Sequence, residues 1–346
     1  WNPFIHIPAG FIKTLINPNV NWLFKSEPSW GTDGRVIDIP RGKTLGGSSS
    51  INGMVFNRGQ NLDFDTWAQK GNKGWSYSDL LPYFKKYEKR YGVYDETYRG
   101  SKGELPITDL EYRDPLCEAF IKGAIEYGIP LNKDYNGEFQ EGVSYVQRNT
   151  QGRFRVSAAK AFLNPAKSRN NLQIITNAFV TKINFKNKTA IGVEYFKGGR
   201  RGKKVNLIAN KEVILSSGVI KSPHILHMSG IGPAEDLQKL GIDVIHDLQG
   251  VGMNLRDHFA PRLTARAKNV ETINEKARGI KLLKEIGKYV IGKQSIVNLS
   301  PTLVYCFWHS NEEIRNHDLQ MTFTPASYKE GVQSTLDTEP GFTVTA

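Results

Sequence analysis

The sequence predicts a mixed fold, part α/β and part α+β, and three stretches predict it. Residues 212–228 read as an apolar run, Glu212-Val213-Ile214-Leu215, then Ser216-Ser217-Gly218, then a helix ending at Met228. That strand–glycine turn–helix order is how α/β folds present backbone N–H groups to a nucleotide. Residues 172–208 instead carry short β-branched runs separated by turns, and a β-rich stretch closes the chain, both signs of antiparallel sheet. Between a short strand at 34–39 and the apolar segment Met54-Val55-Phe56 lies a glycine- and serine-rich loop, residues 40–53.

In chain order, residues 1–33 are broken by Pro3, Pro8, Pro18 and Pro28 yet rich in aromatics (Trp1, Phe4, Phe11, Trp22, Phe24, Trp30), which predicts a packed irregular arm. Residues 59–92 have helical spacing, with Ser78 as N-cap of a helix that tolerates Pro82 in its early turns. Asp114 caps a helix from Pro115 to about Tyr127 that Gly128 ends. Residues 142–148 alternate like a strand, and residues 157–163 form a short helix closed by Asn164-Pro165. Residues 172–176, 180–185, 190–196 and 204–208 are predicted strands, with a charged hairpin turn at 197–202. Residues 212–215 read as a strand buried on both faces. Residues 272–293 form a basic amphipathic stretch.

Length and composition set bounds. The 346 residues allow one large domain or two ordinary ones, and 39% hydrophobic with 11% aromatic residues is enough for a sizeable core. A formal charge of +12 points to an anionic partner: nucleic acid, a membrane surface or a cofactor. Cys117 and Cys306 have no metal-ligand spacing and fit a reducing compartment, so a cytoplasmic location is expected. No apolar run approaches the length that spans a bilayer. The chain starts without Met and stops in an alternating run, which reads as a fragment open at both ends.

The loop carries the chemistry. Its glycines permit close backbone approaches, Ser48, Ser49 and Ser50 are N-cap candidates for a following helix, and Arg41 and Lys43 add positive charge, all suited to an anionic group. From Gly42 it reads Gly-Lys-x-Leu-Gly-Gly-Ser-Ser-x-Ile-Asn-x-x-x-Phe-x-x-Gly, with Asp65 six residues on. This resembles the first signature of the glucose–methanol–choline (GMC) flavoprotein oxidoreductases. Residues 218–232, Gly-Val-Ile-Lys-Ser-Pro-His-Ile-Leu-His-Met-Ser-Gly-Ile-Gly, resemble the second, with Ser222-Pro223 opening its helix. Val219 departs from the small residue usual there.

The resemblance implies a Rossmann-like FAD-binding domain of residues 34–58 and 156–258, with 1–33 as its arm. It also implies an antiparallel-sheet substrate domain of residues 59–155 and 259–346, both domains incomplete. The cofactor contacts it implies are Arg41, Gly42, Leu45, Gly46, Gly47, Ser48, Asn52, Gly53, Met54, Val55, Val180, Ser217 and Gly218. No Gly-x-Gly-x-x-Gly follows a strand, since Gly250-x-Gly252 lacks the third glycine. The family's dinucleotide loop is expected upstream of Trp1, and its catalytic histidine with a second His or Asn beyond Ala346, so no catalytic residue is assigned within the chain. Nor is a metal site: His224 and His227 share a helix face without further ligands, and His258 reads as a partner of Asp257 or of backbone.

Two positions narrow the chemistry the resemblance implies. Some members bind FAD covalently through a histidine where this chain has Ile51, so non-covalent FAD is expected. Choline-oxidising members have a glutamate at the position aligned with Leu303, so a neutral primary alcohol fits better than a cation. The expected reaction is oxidation of that alcohol to the aldehyde, with hydride passing to flavin N5 and a quinone-like acceptor or oxygen, not NAD, receiving the electrons. Choline dehydrogenase-type activity is the alternative. Residues 301–325 are expected to line the substrate pocket. Contact with the inner-membrane surface is compatible with the charge. Rival readings are a catalytically inactive scaffold and a basic module for nucleic acid or membrane built on residues 197–204 and 276–293. The run at 198–204 has no interleaved aromatic for base stacking, so nucleic acid is not expected as a partner.

Overall fold

A computed structural model describes residues 2–314, 316–329 and 335–346; Trp1, Arg315 and residues 330–334, including parts of the predicted arm and pocket region, lie outside the described residues. The chain divides into two units, Trp1–Ser168 with Ala260–Ala346, and Arg169–Phe259. Among the described residues the longer helices are α1 (Asn61–Gln69), α2 (Tyr77–Tyr87), α3 (Pro115–Glu126), α4 (Gly218–Met228) and α5 (Gly279–Val290). The two largest sheets use β1 (Gly142–Tyr145), β2 (Ala178–Lys186), β3 (Thr189–Lys197), β4 (Lys203–Ile208), β5 (Arg262–Arg266), β6 (Val304–Trp308), β7 (Leu319–Thr324) and β8 (Gly341–Thr345).

In the first unit the sheet runs β5-β8-β7-β6-β1, antiparallel at every pair. β6 is buried along nearly its whole length, because α3 and neighbouring loops cover what would otherwise be an open face. The core gathers Leu110, Cys117, Ile121, Val143, Val146, Leu303, Cys306 and Phe323, and Phe120 of α3 stacks on Phe323 with ring centroids 4.7 Å apart. α3 starts where Asp114 Oδ1 accepts from Leu116 N (3.0 Å) and ends before Gly128, whose φ of +106° suits only glycine. A buried ion network braces the same unit. Glu88 accepts from Arg58 and Arg99, and Arg99 also pairs with Asp134.

In the second unit β4-β3-β2 form an antiparallel sheet. α4 is tied to it by Ser229, whose Oγ accepts from Ile183 N (2.8 Å) and donates to Ile225 O (2.5 Å).

Five sequence readings are corrected. Ser76, not Ser78, caps α2, because only Ser76 has an acid three residues on: Asp79 N donates to Ser76 Oγ and Ser76 N to Asp79 Oδ2. Helix α4 begins at Gly218, so Ser222-Pro223 lies inside it, and Ser222 Oγ instead accepts from Ser217 N (3.1 Å). Asn164-Pro165 continues the helical turn of residues 159–163 rather than closing it: Asn164 keeps helical backbone and its N donates to Ala159 O. Residues 172–176 and 212–215 are not strands. A strand persists only where a neighbour pairs its N–H and C=O groups, and these two pair with none of the described strands. Ile214, expected to be buried, is 79% exposed.

Candidate functional site

The loop of residues 40–53 winds on itself through its glycines and serines. Gly42 N donates to Ser48 Oγ (3.1 Å), Ser49 Oγ to Gly46 O (2.6 Å) and Ser50 Oγ to Leu45 O (2.8 Å). The serines therefore close a tight turn, Gly47–Ser50, and do not cap a following helix as expected; the next regular helix is α1. Gly46 and Gly47 take φ of +87° and +55°, which favours glycine at both. A Cβ on Gly42 would lie 2.2 Å from Gly47 O, so the first glycine is fixed by the crossing of two backbone segments.

Beyond the turn the chain is held in a strained form. Met54 is fully buried with φ +61°, a left-handed conformation unusual for methionine. Neighbours fix it from several directions: its N donates to Asn52 Oδ1 (3.0 Å) and its O accepts from Asn149 N (3.0 Å). Val55 bridges to Arg148, and Phe56 N donates to Gln147 O (2.8 Å). Arg155 Nη1 donates to Asn52 Oδ1 (2.7 Å) and Ser49 O (3.2 Å), and its Nε to Ile5 O (2.8 Å). Strain kept by this many constraints is typical of ligand-holding segments. The hydrogen-bond partners of Arg155 are neutral, and burial lowers its pKa and that of Arg148 to about 10, which leaves both charged at neutral pH. Arg148, Asn149 and Arg155 were missed by sequence reasoning. Their spacing matches no motif, and only the fold brings them to residues 49–55.

The loop fits a flavin dinucleotide on two observations. A Cβ at Gly47 would meet nothing within 4 Å, so that backbone faces open space that flat rings can approach. Residues 39–62 contain no acid that would repel phosphates, and two buried guanidinium groups stand behind them. Of the flanking cations, Arg41 is half-buried and Lys43 is exposed. Arg41 Nη1 donates to Pro40 O (2.8 Å), and Lys43 reaches Pro18 O (3.3 Å) over the Trp22 ring. Leu45 is exposed, Ser48 and Asn52 lie at the surface, and Gly53 packs against Pro301, 2.4 Å from where a Cβ would stand. Ile51 points into the core.

In the second unit, Val180 is half-buried in β2 opposite Tyr195, while Ser217 and Gly218 lie exposed at the start of α4, with Gly218 at φ +83° and open space beside it. His227 Nε2 lies 3.0 Å from Val251 O, and its ring packs on Gly232 and Gly252, which gives the incomplete Gly-x-Gly a packing role. His224 is held below its ordinary pKa, first by burial and then by Lys221. His258 N donates to Asp257 Oδ1 (2.9 Å). Among the described residues no cluster of His, Cys, Asp and Glu could hold a metal.

Leu303 is fully buried in the first unit's core, its N donating to Phe323 O and its O accepting from Val146 N, both 3.0 Å. An open cleft of about 590 Å³ lined by Arg113, Glu118, Ile121, Lys122, Leu131 and Tyr145, among others, shares no residue with the loop.

A family model described as GMC oxidoreductase matches residues 7–260. The chain belongs to the GMC oxidoreductase family. Similar GMC relatives include a protein named oxygen-dependent choline dehydrogenase from Sinorhizobium medicae, 44% identical over 257 residues, covering 74% of this chain and 46% of that protein. Another is named alcohol dehydrogenase [acceptor], from Pseudomonas putida, 36% identical over 330 residues, covering 95% of this chain and 60% of that protein. Among solved structures, a FAD-dependent oxidoreductase from Chaetomium thermophilum superposes with a TM-score of 0.80 at 30% identity, covering 89% of this chain and 55% of that one. The mixed α/β GMC fold with antiparallel sheets is therefore that of this chain. The chain spans about half the length of the first of these relatives.

Proposed function

We propose that this chain is part of an FAD-dependent oxidoreductase that converts a primary alcohol to its aldehyde. The observation that carries the reading is the Gly42–Val55 segment. It combines left-handed backbone at Gly46, Gly47 and Met54, open space over Gly47, and basic residues in a stretch, 39–62, that has no acid. FAD, when bound, supplies the acceptor for the hydride that leaves the carbinol carbon. Arg41, Gly42, Leu45, Gly46, Gly47, Ser48, Asn52, Gly53, Met54 and Val55 are proposed to hold it, with Val180, Ser217 and Gly218 as its contacts in the second unit. Attachment is non-covalent, because the side chain at Ile51 has no nucleophile and is buried.

The printed names of the relatives, choline dehydrogenase and alcohol dehydrogenase [acceptor], support an alcohol as substrate. A neutral alcohol is preferred to choline because the resemblance aligns Leu303, which has no carboxylate to attract a cation, with the glutamate of choline-oxidising members. Oxygen or a quinone-like carrier takes the electrons onward, and contact with a membrane surface belongs to the same reading. No helix among the described residues is long and apolar enough to cross a membrane.

The test is the visible spectrum of the full-length protein to which this chain belongs, before and after acid precipitation, followed by anaerobic addition of primary alcohols and of choline. An oxidised-flavin spectrum, colour left in the supernatant and bleaching by a neutral alcohol are expected. Absence of flavin even after FAD is added would refute the reading. Colour in the pellet would refute only the non-covalent attachment.

A further inference from the structure

Helix α5 has two unlike faces. One is fastened to the first unit. Glu285 and Tyr289 are buried a turn apart, Glu285 Oε2 accepts from Ile296 N (2.9 Å), and Tyr289 Oη donates to Arg153 O (3.1 Å). The other face carries Ile280, Leu283, Ile286 and Val290, spaced by three or four residues, and Ile291 follows at the helix end. A face that looks to solvent is normally polar, yet Ile280, Leu283, Val290 and Ile291 are 66%, 63%, 62% and 67% exposed. Lys281, Lys284 and Lys288, all exposed, run along one flank of this apolar row; Lys281 pairs with Glu271 (2.7 Å) and Lys288 with Glu285, so the charge turned to an outside anion is that of Lys284 and, past the helix end, Lys293. Residues 272–293 hold six basic and two acidic side chains, and of the acids Glu285 is buried.

We propose that α5 is a membrane-surface helix. It lies flat on an anionic lipid bilayer, with its aliphatic row in the boundary between headgroups and acyl chains and with Lys284 and Lys293 reaching toward lipid phosphates. Charge selects this occupant. A second copy of α5 would set lysines against lysines. A nucleic acid would leave the aliphatic row unburied and find no exposed aromatic on the helix to stack upon. Long lysine stems cover apolar surface while their charges stay in water, which suits an interface and not a core. This placement rests on the exposed face of α5 and is independent of the flavin chemistry.

The experiment is co-sedimentation of the protein with vesicles of phosphatidylcholine alone and of phosphatidylcholine with about a third phosphatidylglycerol. Binding is expected to the anionic vesicles, weaker in high salt and weaker still to the neutral ones. L283S/V290S is expected to lower the partition coefficient roughly tenfold or more. Its melting temperature should not change, because both side chains are exposed. K284Q/K293Q is expected to lower binding to anionic vesicles only. Equal binding by wild type and L283S/V290S would overturn the proposal, as would no binding to either vesicle. Lipid-free self-association abolished by L283S/V290S, without vesicle binding, would assign the face to a second copy and equally overturn it.

Discussion

Gly42 shows how much of the loop depends on a missing methyl group. Its Cα lies where the backbone of Gly47 crosses, and neither segment can retreat without breaking the Gly42–Ser48 bond. Gly42→Ala is expected to cost about 1–3 kcal/mol by overpacking, read from urea denaturation. Gly250→Ala, where a Cβ would meet nothing, is expected to stay within about 0.5 kcal/mol. That a glycine was required was legible in the sequence, because the motif places one there. Why it was required was not, since the crossing joins residues five apart through a turn whose geometry no spacing rule gives. Arg155 is the opposite case. It touches Ile5, Ser49 and Asn52, and contacts more than a hundred residues apart leave no local trace.

Among the elements, α3 was readable almost to the residue, since its cap, its apolar spacing and its terminal glycine are all local. Its cap also yields a prediction. Burial pushes the Asp114 carboxyl above its ordinary pKa even though Lys276 lies 3.8 Å from Oδ2, so the cap needs an acceptor more than it needs a charge. Asp114→Ala is expected to destabilise the protein by about 1 kcal/mol, and Asp114→Asn, which keeps the acceptor for Leu116 N, by clearly less. Equal losses in thermal or urea denaturation would show that charge, not capping, matters. Residues 212–215 were misread for the complementary reason: an apolar run specifies what it would bury, but not whether a partner strand is beside it. The amphipathic stretch at 272–293 was visible as a pattern, whereas the outward direction of its apolar row depends on Glu285 and Tyr289 taking the inner side.

At the scale of the whole molecule, titration ties stability to pH. His6, His224 and His317 all sit below the ordinary histidine pKa, burial being the first cause in each. The unfolded chain therefore binds more protons than the folded one near pH ~6.5, and stability rises with pH through that window. The contribution is fully present above the unfolded value and is lost as pH falls through the lowered folded values. The urea midpoint is expected to drop between about pH 7.5 and 5.5, and His317→Gln to flatten the slope. A midpoint that rose on acidification would contradict the burial of these rings.

The sequence by itself determined the family signatures, the glycines and serines of the loop, the helix capped by Asp114 and the antiparallel hairpins, because each is fixed by residues a few positions apart. Only the tertiary structure decided which arginines stand behind the loop, that Met54 is held in a left-handed conformation, that Leu303 belongs to the core, and which face of α5 looks outward. Those outcomes depend on burial and on hydrogen bonds between distant segments, and such interactions exist only once the chain has folded.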